Sequence, residues 1–147
     1  MEFENIYKVA REMKGLTQYE AAEKLEVSWR SISNYETFNT IPSNEMVDKM
    51  VSIYDAVWLA YMHVIKDKYL GQYFPKCDLK DIAKAALKMQ KEIADFNKVT
   101  PDMIEVAYDG IIEEHEKKIW NKVKLEAMDV AGAAMTVMYA GIISNSI

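Results

Sequence analysis

The sequence is poor in residues that interrupt helices, with five glycines and three prolines among 147 residues. That scarcity argues against a turn-rich sheet protein and predicts a mostly helical chain. A single cysteine, Cys77, excludes an internal disulfide and fits a reducing compartment. The two histidines, His63 and His115, lie far apart, and neither has a second ligand at metal spacing. They read as surface or interface residues, and no metal or other cofactor is expected. Basic residues are also in deficit, 18 against 23 acidic ones, for a formal net charge of −5. Phosphate neutralisation supplies most nonspecific DNA affinity, so this balance argues against a protein that coats nucleic acid. Glu2, Glu4 and Lys8 interrupt the start of the chain, so no signal peptide is expected there. The uncharged run after Asp129 falls short of the roughly 20 residues a membrane span needs. A cytoplasmic protein with no membrane partner is the expectation. Half of the residues are apolar, enough for one domain or for two small ones.

Residues 16–36, LTQYEAAEKLEVSWRSISNYE, carry the most information. Thr17 can cap a helix, and Glu20 three residues later completes a capping box. Ala21, Ala22 and Leu25 give that helix a narrow apolar face. Val27 breaks the register, and Ser28 caps a second helix in which Ile32 and Tyr35 point back at the first. Small side chains at Ala21 and Ala22 permit the close backbone approach that two steeply crossing helices need. Trp29, Arg30, Ser31, Ser33 and Asn34 remain outward, an uncharged-to-basic polar face suited to base edges in a major groove.

From about Ile6 to Val57 the chain resembles the lambda-repressor-like (xenobiotic-response-element) helix-turn-helix regulators of bacteria and phages. The residues that carry the resemblance are Arg11, Gly15-Leu16-Thr17-Gln18, Ala22, Leu25, Val27-Ser28, Ile32-Ser33, Tyr35-Glu36 and Pro42. The resemblance implies five short helices, with Arg11 and Glu36 paired across the domain as a structural link. It implies phosphate contacts for Thr17 and Gln18, and base contacts for Trp29, Arg30, Ser33 and Asn34. Ser28, Ser31 and Asn39 complete the expected DNA-binding set. One departure stands out. The family's Glu-x-Gly-basic turn is here Glu36-Thr37-Phe38-Asn39-Thr40, without the glycine or the basic residues that grip the phosphate backbone.

Elsewhere the pattern predicts helices throughout. Phe3, Ile6, Tyr7, Val9, Ala10 and Met13 form an apolar face closed by Gly15. Met46, Val47, Met50 and Val51 face inward on a helix capped by Ser43 or Asn44. Residues 52–74 read as one long linking helix rich in aromatics. Asp78 is expected to cap a helix with an apolar row of Leu79, Ile82, Ala83, Ala86, Met89, Ile93 and Phe96. Lys80, Lys84, Lys88 and Lys91 lie opposite as a solvated face. Thr100-Pro101-Asp102 reads as a fresh helix start, with a break at Asp109-Gly110. Asp109, Gly110, Ile112 and Glu116 match part of a calcium-binding loop, but Ala107 stands where a ligand is required. The last helix is expected from about Ile112, with Ile119, Trp120 and Val123 buried in its first half and a small-residue stripe of Ala127, Ala131, Ala134, Met138 and Gly141 along its second.

Glu113, Glu114 and Glu116 read as a solvated face, Cys77 has no base beside it, and no glycine-rich phosphate loop is present. Nothing supports an enzyme. The chain therefore reads as an all-α protein with an N-terminal lambda-repressor-like five-helix DNA-binding domain over residues 1–75. A long linking helix ends that domain, and a helical C-terminal dimerisation region spans residues 76–147. Trp120, Val123, Ala127, Ala131, Ala134 and Met138 are the expected interface. The C-terminal region is similar to the helical tails of regulators from prophages and mobile elements of Gram-positive bacteria. The function expected is a repressor binding double-stranded DNA as a homodimer. Two alternatives stay open: a protein-interaction module, antitoxin or anti-repressor, with its own protein partner, and a regulator sensing an unknown small-molecule effector through tyrosines and methionines.

Overall fold

The computed structural model describes residues 5–79 and 81–142. Every regular element among them is helical, and none is long and apolar enough to cross a membrane. The chain divides into two compact units, parting between Phe74 and Pro75. Phe3 and Lys80, assigned above to an apolar face and a solvated face, lie outside the described residues.

The first unit holds α1 (Ile6–Met13), α2 (Gln18–Leu25), α3 (Trp29–Glu36), α4 (Asn44–Tyr54) and α5 (Val57–Lys66), followed by a single 3₁₀ turn, Gly71–Tyr73. Side chains close the starts of the first four helices, and α5 starts without one. Asn5 accepts from the backbone N–H groups of Tyr7 and Lys8 and donates its amide to the Tyr35 carbonyl at 2.8 Å, tying α1 to the end of α3. Thr17 and Glu20 form the reciprocal capping box, and Ser28 and Ser43 cap α3 and α4. Such caps are each worth about 1 kcal/mol. Ala10, Ala21, Leu25, Ile32, Met50 and Leu59 fill the core, whereas Met13 is exposed and takes no part in it.

The long linking helix is corrected. Asp55 adopts a left-handed φ of +57° and ends α4; α5 then starts anew after the buried Ala56, and stops at Lys66. A helix running unbroken over residues 52–74 would extend about 35 Å at about 1.5 Å per residue, beyond the reach of so small a core. Turning back instead packs α5 against α1 and buries Trp58, Leu59 and Met62. His63, expected at the surface or an interface, is half-buried and links three helices. Its Nε2 lies 3.1 Å from Asn44 Oδ1, which can only accept, so Nε2 carries the proton and Nδ1 accepts from the Tyr7 hydroxyl at 2.8 Å. Burial pushes the Tyr7 hydroxyl up to about 12 and lowers the His63 imidazole below its ordinary value.

The second unit pairs α6 (Ile82–Val106) with α7 (Lys117–Tyr139). Three expectations change here. Asp81, not Asp78, caps α6, accepting from Lys84 N–H at 2.9 Å; the Asp78 N–H donates to Thr136 Oγ1 at 3.3 Å. The helix passes through Pro101 without restarting. Proline there removes one backbone donor at a cost of about 3 kcal/mol, while Thr100 Oγ1 donates to the Phe96 carbonyl at 3.2 Å. Continuity also rotates the inward face. A row that includes Val99, Met103 and Val106 passes through Ala85, Met89, Glu92 and Phe96, a heptad spacing, rather than through Ala86 and Ile93. Ala85, Glu92, Val99 and Val106 are buried, whereas Ile82 and Ile93 are 64 % and 42 % exposed.

The chain does break near Gly110, whose φ is +76°. Asp109 accepts from Ile111 N–H and Glu116 from Glu113 N–H, both at 2.9 Å, which holds those backbone groups outside a helix. Hence α7 begins at Lys117 rather than Ile112. Val123 is buried within this unit and Trp120 half-buried, while Ile119, assigned above to the interior, is 41 % exposed. Ala127, Ala131 and Met138 are exposed, and Ala134 is half-buried. Gly132 is buried where an added Cβ would press on the Lys76 carbonyl oxygen, and Gly141 lies at a φ of +82°.

Candidate nucleic-acid interface

Helix α3 is held at both ends by one polar chain. At its C-terminal end, Arg11 Nε and Nη2 donate to the two Glu36 carboxylate oxygens at 2.5 and 2.9 Å, and Arg11 Nη1 donates to the Leu16 carbonyl at 2.6 Å. Both side chains are under a tenth exposed. The hydrogen bond to Glu36 raises the Arg11 guanidinium above its ordinary value. Gln18 Nε2 donates to Glu36 Oε2 at 2.8 Å, and Gln18 Oε1 accepts from the Trp29 indole N–H at 3.0 Å. The first residue of α2 is thereby joined to the last and first residues of α3. Bidentate arginine–carboxylate geometry fixes direction as well as distance, so the helix presents its outer face in one orientation.

That outer face carries Ser28, Trp29 and Arg30 exposed, with Ser31, Ser33 and Asn34 half-exposed. The only carboxylate on α3, Glu36, is taken up by Arg11 and Gln18. Several polar groups of the face already have local partners. Ser28 Oγ accepts from Ser31 N–H at 3.1 Å, the two hydroxyls lie 2.9 Å apart, and the Ser33 carbonyl accepts from Thr37 Oγ1 at 2.8 Å. Thr17 donates both its N–H and its hydroxyl to Glu20 Oε2 at 2.8 Å, and these bonds hold the Glu20 carboxyl below the usual carboxylate range. Asn39 is exposed in the turn beyond α3.

Three residues at this surface were not picked out from the sequence. Tyr19 stacks on Trp29 with ring centroids 5.8 Å apart and planes at 13°. Phe38 stands where the resembled family has glycine and takes the left-handed conformation itself, at φ +58°. Lys66, from the end of α5, places its ammonium 5.9 Å from the centre of the Phe38 ring, and burial lowers that ammonium below its ordinary value. A signal for Tyr19 was present, an aromatic beside Gln18. Nothing in the sequence joins Lys66 to Phe38.

Among the described residues no group of three or more histidine, cysteine, aspartate or glutamate side chains could hold a metal. Burial pushes the Cys77 thiol up to about 11. An open depression lined by Lys14, Leu16, Lys24 and Ile53 contains neither tyrosine nor methionine.

Residues 8–57 match the family model described as helix-turn-helix, from within α1 to the first residue of α5, about a third of the chain. No curated protein and no solved structure matches. Residues 8–57 are thus a helix-turn-helix of the lambda-repressor-like type, which supports a DNA-binding transcriptional regulator, and further helices follow it.

Proposed function

We propose that this protein is a repressor that binds a defined operator as a homodimer, with α3 in the major groove of each half-site. The observation that carries this reading is the outer face of α3, whose one carboxylate is neutralised inward while Arg30 and Asn34 face outward. Arginine and asparagine are the side chains that pair bidentately with guanine and adenine edges. Thr17, Gln18, Ser28 and Asn39 flank that face, and Lys66 supplies a cation beside a turn that has none of its own.

The dimer follows from two considerations. One short helix offers a few base contacts at about 1–3 kcal/mol each, so useful specificity needs two copies. The second unit also leaves Ile82, Leu87, Ile93 and Ile104 of α6 and Leu125, Met128, Val137 and Met138 of α7 exposed. A second copy covering these residues, with the small stripe of Ala127, Ala131 and Ala134, supplies the pairing. Domain limits of 1–75 for DNA binding and 76–147 for dimerisation go with this reading.

A second reading is favoured by Phe38 and Ile41, which are 51 % and 71 % exposed beside α3. Apolar side chains at a turn where phosphate contacts are expected suit a protein partner, as in an antitoxin or anti-repressor. Titration of the full chain against its gene's upstream DNA, over a salt series with competitor DNA, separates the two. Saturable binding with a modest salt slope supports the operator-reading dimer, and Arg30→Ala and Asn34→Ala each weaken it about tenfold with the melting temperature unchanged. No binding at low salt supports the protein-partner reading.

A further inference from the structure

At the opening turn of α3, Trp29 stacks on Tyr19 of α2, an aromatic contact where a hydrogen-bonding group would be expected of a base-reading helix. Trp29 is 45 % exposed and Tyr19 is 70 % exposed, and their rings stack. The indole has one hydrogen-bonding group, a donor, and Gln18 Oε1 accepts from it. Gln18 is itself held by Glu36, inside the bidentate pair with Arg11. The Trp29 ring is therefore fixed by a stacked face and a hydrogen bond, and the edge it leaves exposed can neither donate nor accept.

A fixed apolar edge discriminates only between base edges that differ in apolar surface. In the major groove that feature is the C5-methyl group, which among the four bases only thymine carries. A methylated cytosine carries the same group. Resting on the operator-binding reading above, we propose that Trp29 reads the C5-methyl group of a pyrimidine, one in each half-site, and so selects that position by apolar contact. Arg30 and Asn34 supply the polar part of the code beside it. Covering one methyl group is worth about fivefold in affinity.

The test uses the full chain and a random 24-base-pair duplex pool. After selection, each thymine of the enriched duplex is replaced singly by deoxyuridine, which removes only the methyl group. The expected result is one thymine per half-site at which uracil weakens binding about fivefold. Cytosine placed there binds more weakly than 5-methylcytosine, since the two differ only in the methyl group, and equal binding of the two overturns the methyl contact. In Trp29→Ala the uracil penalty disappears while the melting temperature holds. If uracil is tolerated at every thymine, or if its penalty persists in Trp29→Ala, the methyl-reading role is overturned. If no sequence is enriched at all, the operator-binding premise fails, and this inference with it.

Discussion

Among the described residues of the helix-turn-helix unit the buried cation is Arg11, which meets a carboxylate bidentately and a backbone carbonyl besides. In the α6–α7 pair the buried charge is Glu92, whose partner is Lys91 beside it on the same helix, at 3.3 Å, and Ile93 next to it faces out. The first arrangement is complete within one chain. The second places a charge inside and isoleucines outside, the reverse of what transfer free energies favour. The contrast teaches that the buried charge of the first unit is satisfied between helices of one chain, while the buried charge and outward isoleucines of α6 suit another apolar surface, as the proposed second copy would provide.

The largest expected effect tests the completeness of the first unit. Glu36→Ala leaves Arg11 buried without its carboxylate and Gln18 without an acceptor, and should cost about 3–5 kcal/mol. Urea denaturation measures it, and an unmoved midpoint would refute the importance of the pair. Next comes the outer face of the second unit. Ile93→Lys on a solvated surface would change stability by less than about 0.5 kcal/mol. Under a second copy it should weaken self-association tenfold or more in sedimentation, with helical content kept. Truncation after Lys76 should leave a folded monomer, and a dimeric fragment would move the interface into the first unit.

A smaller effect concerns Glu92. Glu92→Leu removes a buried charge from the α6 row and should raise stability by about 1 kcal/mol, read as a higher melting temperature. A lower one would mean that Glu92 satisfies a group the hairpin depends on. The smallest effect is pH-dependent. His63 has a folded pKa below its ordinary 6.5, so the folded state resists a proton that the unfolded chain accepts. Stability is then fully present above pH 6.5 and declines as pH falls through that value. Protonation would also remove Nδ1 as acceptor for Tyr7. The first unit should therefore melt earlier at pH 5.5 than at 7.5, and His63→Gln should flatten that dependence.

Much of the first unit was legible because its signals are local. Thr17 with Glu20, Ser28 and Ser43 announce helix starts within one turn of chain, where a hydroxyl meets a backbone N–H three residues on. The apolar spacing of Ala21, Ala22, Leu25 and Ile32 follows from helical geometry alone. The outer face of α3 was legible for the same reason, as what remains once the inward residues are assigned. Tyr19, Phe38 and Lys66 escaped because each matters through a partner on another segment.

The second unit shows where such reading stops. Thr100-Pro101-Asp102 has every local mark of a helix start, yet α6 runs through it, because burying one continuous row against α7 outweighs the loss of one backbone hydrogen bond. That continuity selected Ala85 and Glu92 over Ala86 and Ile93, a rotation too small for periodicity to resolve. The same competition ended α4 at Asp55, where a favourable helix gave way to packing on α1. By itself, then, the sequence determined that the chain is helical, where the short helices of its first unit begin, and which face of α3 is polar. Tertiary structure decided where long helices end, which row turns inward, and how Gln18 fixes Trp29. Those outcomes depend on packing and hydrogen bonds between segments distant in sequence, and no local pattern encodes them.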